Sequence, residues 1–126
     1  MKIRIIVGEQ IVTGRLYTNP TASDFASLLP LSLTLTSYES IELIAELPRK
    51  LSTQDAPEGM APLAGELTHY TPWCNLAIFT QHRSWSRDLL PLGVIDQGLE
   101  ILSHPGPYNL RIELDETDCS FEKESL

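Results

Sequence analysis

The sequence predicts a mainly β chain, a closed antiparallel barrel of about eight strands with two short capping helices. Short runs of alternating apolar and polar residues recur along the whole length, only two segments look helical, and Gly- or Pro-containing turns separate the runs. So many strands in one small domain are best accommodated by a sheet that closes on itself and hides its edges. A helix at each open end would then plug the tube.

Each element has its own signal. Ile3, Ile5 and Val7 alternate along the first strand, and Gly8-Glu9 turns the chain into Gln10–Tyr17 as an opening hairpin. Asn19 is placed to cap a helix with Pro20 at its first position; Ala22, Phe25, Leu28 and Leu29 form its stripe, and Pro30 ends it. Leu31, Leu33 and Leu35 alternate with Ser32, Thr34 and Thr36, and Ile41–Leu47 supplies the next strand. From Pro48 to Gly65 little periodicity survives, which predicts a long irregular excursion. Glu66–Thr71 and Asn75–Thr80 flank Pro72-Trp73-Cys74 as a hairpin, in which His69 is expected to pair near Ile78. Leu89–Ile95 follows a polar loop, Asp96 is the expected cap of a second short helix carrying Leu99 and Leu102, and Tyr108–Leu114 is the last strand.

With 126 residues and 42% apolar side chains, the chain suits one core that buries roughly two-thirds of the unfolded surface. Residues 1–115 are assigned to the barrel and 116–126 to an acidic tail expected to fray. From Glu113 onward six acidic residues face only Lys123, so this end carries -5 of the formal net charge of -8. Nine scattered Lys and Arg do not make a phosphate-binding face, which argues against nucleic acid. No run approaches the roughly 20 apolar residues of a membrane span, and MKIRIIV meets Gly8 without a leader-peptide pattern. The expectation is a cytoplasmic protein, monomeric or weakly dimeric, without membrane contact.

Several chemistries find no support. Cys74 and Cys119 are too few and too far apart for a zinc motif; free thiols are expected, with a disulfide between them as the alternative. His69, His82 and His104 share no metal spacing, so no metal or other cofactor is expected. His82, Ser84, Ser86 and Asp88 crowd one loop without an oxyanion motif, unlike a hydrolytic triad, and no glycine-rich phosphate cradle is present. Glu113 and Asp115 could share a strand face, but in an acidic tail they read as solvated charges.

Asn75-Leu76-Ala77-Ile78-Phe79 resembles the strand that in cyclophilins reads approximately Q-F-F-I, and Leu90–Glu100 resembles their V-V-F-G-x-V-x-x-G-M-D. Asn19-Pro20 before the Phe25 helix is similar to their P-x-T-x-x-N-F segment, and Tyr108–Leu114 to their terminal strand. The order matches nearly end to end and is closest to the prokaryotic cyclophilin-like proteins of mostly unassigned activity. The family's F-H-R and Q-G-G-D signatures are absent, Ala77 stands where cyclophilins carry a groove phenylalanine, and Leu89 replaces a histidine.

The resemblance implies a ligand groove on the outer face of the barrel. It puts Asn75 on the groove side, in line with the alternation of Asn75, Ala77 and Phe79 against Leu76 and Ile78. Trp85 and Arg87 fall in the loop that carries a groove tryptophan in cyclophilins, and Tyr70, Trp73 and Phe79 are further candidates. The function expected is binding of a peptide, protein segment or small apolar ligand without bond chemistry. The alternative is a peptidyl-prolyl cis-trans isomerase in which Arg49, close to the region of the missing arginine, stabilises the twisted amide and Trp85 helps to form the proline pocket.

Overall fold

The structure, a computed structural model, describes residues 1–104 and 106–115. Cys119 and the acidic stretch 116–126 lie outside the described residues, and with them the disulfide alternative and the expectation of a fraying tail.

β1 (Lys2–Val7) and β2 (Gln10–Leu16) form the opening hairpin around Gly8-Glu9. Asn19 caps α1 (Pro20–Ala26) by accepting the Ala22 N–H on its Oδ1 at 2.7 Å, and Pro20 occupies the first turn, where its missing N–H sacrifices no bond. The helix stops at Ala26, earlier than Pro30 suggested; Leu28 and Leu29 leave it yet still pack against the core.

β3 (Leu31–Tyr38), β4 (Glu42–Glu46), the short β5 (Gly59–Met60) and β6 (Glu66–Tyr70) follow. A 3-10 turn over Thr71–Trp73 leads to β7 (Asn75–Phe79), then come β8 (Ser86–Arg87) and β9 (Leu89–Gln97). A second 3-10 turn, Leu99–Leu102, precedes β10 (Tyr108–Leu114).

Eight strands close into an antiparallel barrel in the order β1-β10-β3-β4-β7-β6-β9-β2, with β1 paired to β2 to complete the ring. Period-2 alternation sends one residue set inward, and Ile5, Val12, Leu35, Leu76, Ile78, Leu92 and Ile112 are all 0% exposed. β2 and β9 run antiparallel, so α1, which follows β2, and the Leu99–Leu102 turn, which follows β9, sit at opposite mouths. Phe25 and Leu102 carry these plugs into the main core.

The seam between β2 and β9 is very tight. A Cβ on Gly93 would lie 2.3 Å from the Arg15 carbonyl oxygen, and one on Gly14 would lie 2.6 Å from that of Val94. The register slips beside Gly14, and the β6–β9 ladder slips between Leu67 and Thr68, next to Pro91, which has no N–H to offer.

Three local expectations are corrected. Asp96 does not cap a helix; β9 runs through it to Gln97, and Gly98, at φ 100, opens the following turn. His69 pairs with Leu76, not Ile78, which faces Leu67. The Pro48–Gly65 excursion is not wholly irregular, because Gly59–Met60 pairs with Ser86–Arg87 in a small ribbon outside the barrel. The first part of that excursion is latched to α1. Arg49 forms a two-pronged pair with Asp24, both contacts 2.8 Å, and the Ser52 N–H donates to Asp24 Oδ2 at 2.7 Å. No helix among the described residues is long and apolar enough to cross a membrane.

Two outcomes follow from the seam and the latch. Gly93→Ala forces backbone apart and is expected to lower stability by about 1–3 kcal/mol, read as a lower urea midpoint. Asp24, held first by the Arg49 hydrogen bonds, has its carboxyl lowered from 3.8 to about 2. The latch therefore stabilises fully above the ordinary value and weakens as pH falls toward the folded one. Asp24→Asn should melt below the parent at pH 7, and the gap between the two melting curves should close as the solution is acidified through that interval; a gap independent of pH would contradict the assignment.

Candidate functional site

The outer faces of β4, β6 and β7 are not simply solvated. Ala77, Phe79 and Leu89 form a second buried cluster outside the tube, packed against Ile41, Ile44, Met60 and Tyr70. Met60 of the β5–β8 ribbon packs on it, and Arg83 and Ser86 of the 80–88 segment line the recess beside it. Two recesses open on this face, one on each side of Trp73.

The first, about 200 Å³, is lined by Tyr38, Glu39, Glu42, Tyr70, Trp73, Phe79, Arg83, Ser86 and Leu89. Trp73 leaves the β6–β7 connection and meets Tyr70 on one side and Tyr38 of β3 on the other, so its indole lies across the intervening β7 and β4. Both contacts have ring centroids 5.3 Å apart, with interplanar angles of 84° and 87°. The walls therefore meet at right angles, the edge-to-face arrangement that aromatic quadrupoles favour.

Local backbone geometry puts these groups in place. The three-residue β3–β4 loop between the paired Tyr38 and Glu42 holds Glu39 and Ser40 at φ 53 and 63, left-handed values that non-glycine residues adopt reluctantly. Cys74, at φ 53, closes the turn that carries Trp73.

Glu42 supplies the recess with its unusual charge. It is only 8% exposed, its nearest cation is Arg83 Nη1 at 3.6 Å, and burial raises its carboxyl above the ordinary value against the pull of that guanidinium. A buried carboxylate in a cleft with its pKa displaced by desolvation is a recurrent mark of a functional site. Arg83 has its own deficit, since its buried Nε has no partner. Charge from Glu39, followed by burial, raises the Tyr38 phenol.

The second recess, about 260 Å³, is lined by Thr34, Thr36, Ile44, Ala45, Glu46, Trp73 and Asn75. It lies where two neighbouring strands part. The β3–β4 ladder joins Thr36–Tyr38 to Glu42–Ile44 and goes no further, so Thr34 and Leu35 are not laddered to Ala45 and Glu46. Asn75 faces this gap, 5% exposed, and its Oδ1 has no hydrogen-bond partner.

Behind Asn75, inside the tube, His69 is 0% exposed. The Leu51 N–H reaches its Nε2 at 3.4 Å, which makes Nδ1 the protonated nitrogen, and this donates to the Asn75 carbonyl at 2.8 Å. Burial, the largest influence, lowers the imidazole pKa and keeps the ring neutral. His69 thus fixes the backbone that carries the outward amide.

Of the residues marked in the sequence, Tyr70, Trp73 and Phe79 meet in the first recess, and Asn75 joins Trp73 in the second. Phe79, 1% exposed, is more floor than contact surface. Arg87 lies in β8, and Trp85 packs over Gly59 of the ribbon while remaining 53% exposed; neither lines these two recesses, although Ser86 between them lines the first. Arg49 is not brought to either one, being held by Asp24 of α1.

Tyr38, Glu42, Arg83 and His69 were not apparent as site residues. Glu42 and Arg83 look solvated until the 80–88 segment folds over the sheet. A larger hollow of about 450 Å³ beside Ser32, Thr34, Asn109 and Arg111 is lined by no aromatic residue and no carboxylate. Among the described residues no group of three or more His, Cys, Asp and Glu could hold a metal ion. Glu113 lies in β10, where hydrogen bonds from Arg111 foremost, and the charge of Arg4, lower its carboxyl.

The model of the Cyclophilin-like family matches residues 5–113. The fold is similar to the solution structure of the hypothetical protein AF2241 from Archaeoglobus fulgidus, with a TM-score of 0.63, 16% identity, and coverage of 91% of this chain and 95% of that one. No curated protein matches the chain. With most of its length matched by the family model and its strands closed into the corresponding barrel, the chain belongs to the cyclophilin-like family.

Proposed function

We propose that the protein is a binding module that holds a short extended peptide, or a small molecule of similar shape, across the outer face of β4 and β7 without making or breaking bonds. The orphaned Asn75 Oδ1 carries this reading. A buried acceptor left unpaired costs about 1–3 kcal/mol, and a ligand N–H arriving in the gap between β3 and β4 would remove that cost. The recesses on either side of Trp73 suit two side chains of one extended ligand, with the indole as the shared wall.

The isomerase alternative finds no specific observation in its favour, because the Arg49 guanidinium that it requires is engaged beside α1. Exchange NMR on Xaa-Pro peptides is expected to show interconversion at the uncatalysed rate. Acceleration that disappears in Arg49→Ala would reverse this.

Asn75→Ala separates binding from stability. Removing an unsatisfied acceptor should leave the unfolding free energy, read from urea denaturation, within about 1 kcal/mol of the parent, or raise it, while abolishing ligand binding. Amide spectra recorded against a library of short peptides should show shifts gathered around Trp73 and Asn75 that vanish in the variant. A library that perturbs neither residue would rule the groove out.

A further inference from the structure

We infer that the recess between Tyr38, Tyr70 and Trp73 takes a compact ammonium group, the end of a lysine side chain or a methylated amine. The inference rests on the groove proposed above and names the chemistry of one of its two subsites.

Three features of the recess converge on a cation. Aromatic walls at 84° and 87° form a right-angled corner, in which a small cation can approach more than one ring face at once. Glu39 and Glu42 both line the same space, opposed only by Arg83, so the lining carries one net negative charge when all three are ionised.

Glu42, moreover, is nine-tenths buried, and among the described residues its ion-pair partner is Arg83 at 3.6 Å, too long for a hydrogen bond. A desolvated carboxylate of this kind is stabilised by a donor cation delivered from the ligand. Trp73, 48% exposed, leaves its ring accessible to such a group. A neutral apolar side chain would contact the same rings but leave Glu42 without a donor. The discrimination therefore comes from charge.

The test uses the full chain and two probes of nearly equal shape, N-acetyl-lysine-N-methylamide and N-acetyl-norleucine-N-methylamide, with tetramethylammonium as a cation lacking a backbone. The lysine probe is expected to shift the Trp73 indole N–H saturably and to bind about tenfold more tightly than the norleucine probe. Glu42→Gln should bring the two to parity. Should that variant not fold, Glu39→Gln, at an exposed turn, should still weaken the lysine probe severalfold.

Tetramethylammonium shifting Trp73 by itself would support the corner as the cation site. Equal affinity of the lysine and norleucine probes would overturn the inference while leaving the groove intact. No shift at Trp73 or Asn75 with any probe would overturn both.

Discussion

The closure between β2 and β9 is the constraint on which the remaining geometry depends. Two strands can meet there only because Gly14 and Gly93 have no side chain to place against the opposing carbonyls. With that seam closed and β1 paired to β2, no barrel strand is left as an edge, and the inward residues of all eight strands share one core. The open mouths are then the remaining exits for apolar surface, and Phe25 and Leu102 fill them.

A closed tube also frees its outer wall. Part of the β4–β6–β7 exterior carries a second, smaller apolar cluster on which Met60 of the β5–β8 ribbon packs, while Arg83 of the 80–88 segment reaches Glu42. Polar groups caught there lose water without gaining full compensation. Glu42 keeps one distant cation, and Asn75 Oδ1 keeps none. Such deficits cost stability locally, and each buried polar group without a partner calls for an explanation. His69 links the two layers by holding the Asn75 carbonyl from inside while the Asn75 side chain faces out.

Where the position of a candidate residue could be read from the sequence, a single local rule decided it. Asn75 and Phe79 alternate with buried Leu76 and Ile78, and Trp73 sits in a Pro-containing turn; strand period and turn chemistry sufficed to put them on the outer wall. Tyr38 ends one strand and Trp73 lies in a turn far along the chain, so their contact appears only when β3, β4 and β7 are assembled side by side. The pairing of Arg49 was hidden for a similar reason. Its position near the end of β4 was legible, but its partner Asp24 lies on a helix that sequence distance does not reveal as a neighbour. Asp96 looked like a cap because local rules favour Asp there, yet pairing with β2 drew β9 past it and left the turn to Gly98. Two-residue strands such as Gly59–Met60 and Ser86–Arg87 have no period to detect.

The sequence by itself determined that this chain is β-rich and closes, where the barrel strands run, and which of their residues point inward, since alternation is a property of each strand alone. It also carried the family resemblance in the order of its elements. Only the tertiary structure decided which outward residues lose contact with water. Burial of Glu42 and Asn75 depends on the course of segments distant in sequence, and the right-angled aromatic corner depends on barrel order. Desolvation and inter-strand geometry are collective quantities, and no single stretch of the chain encodes them.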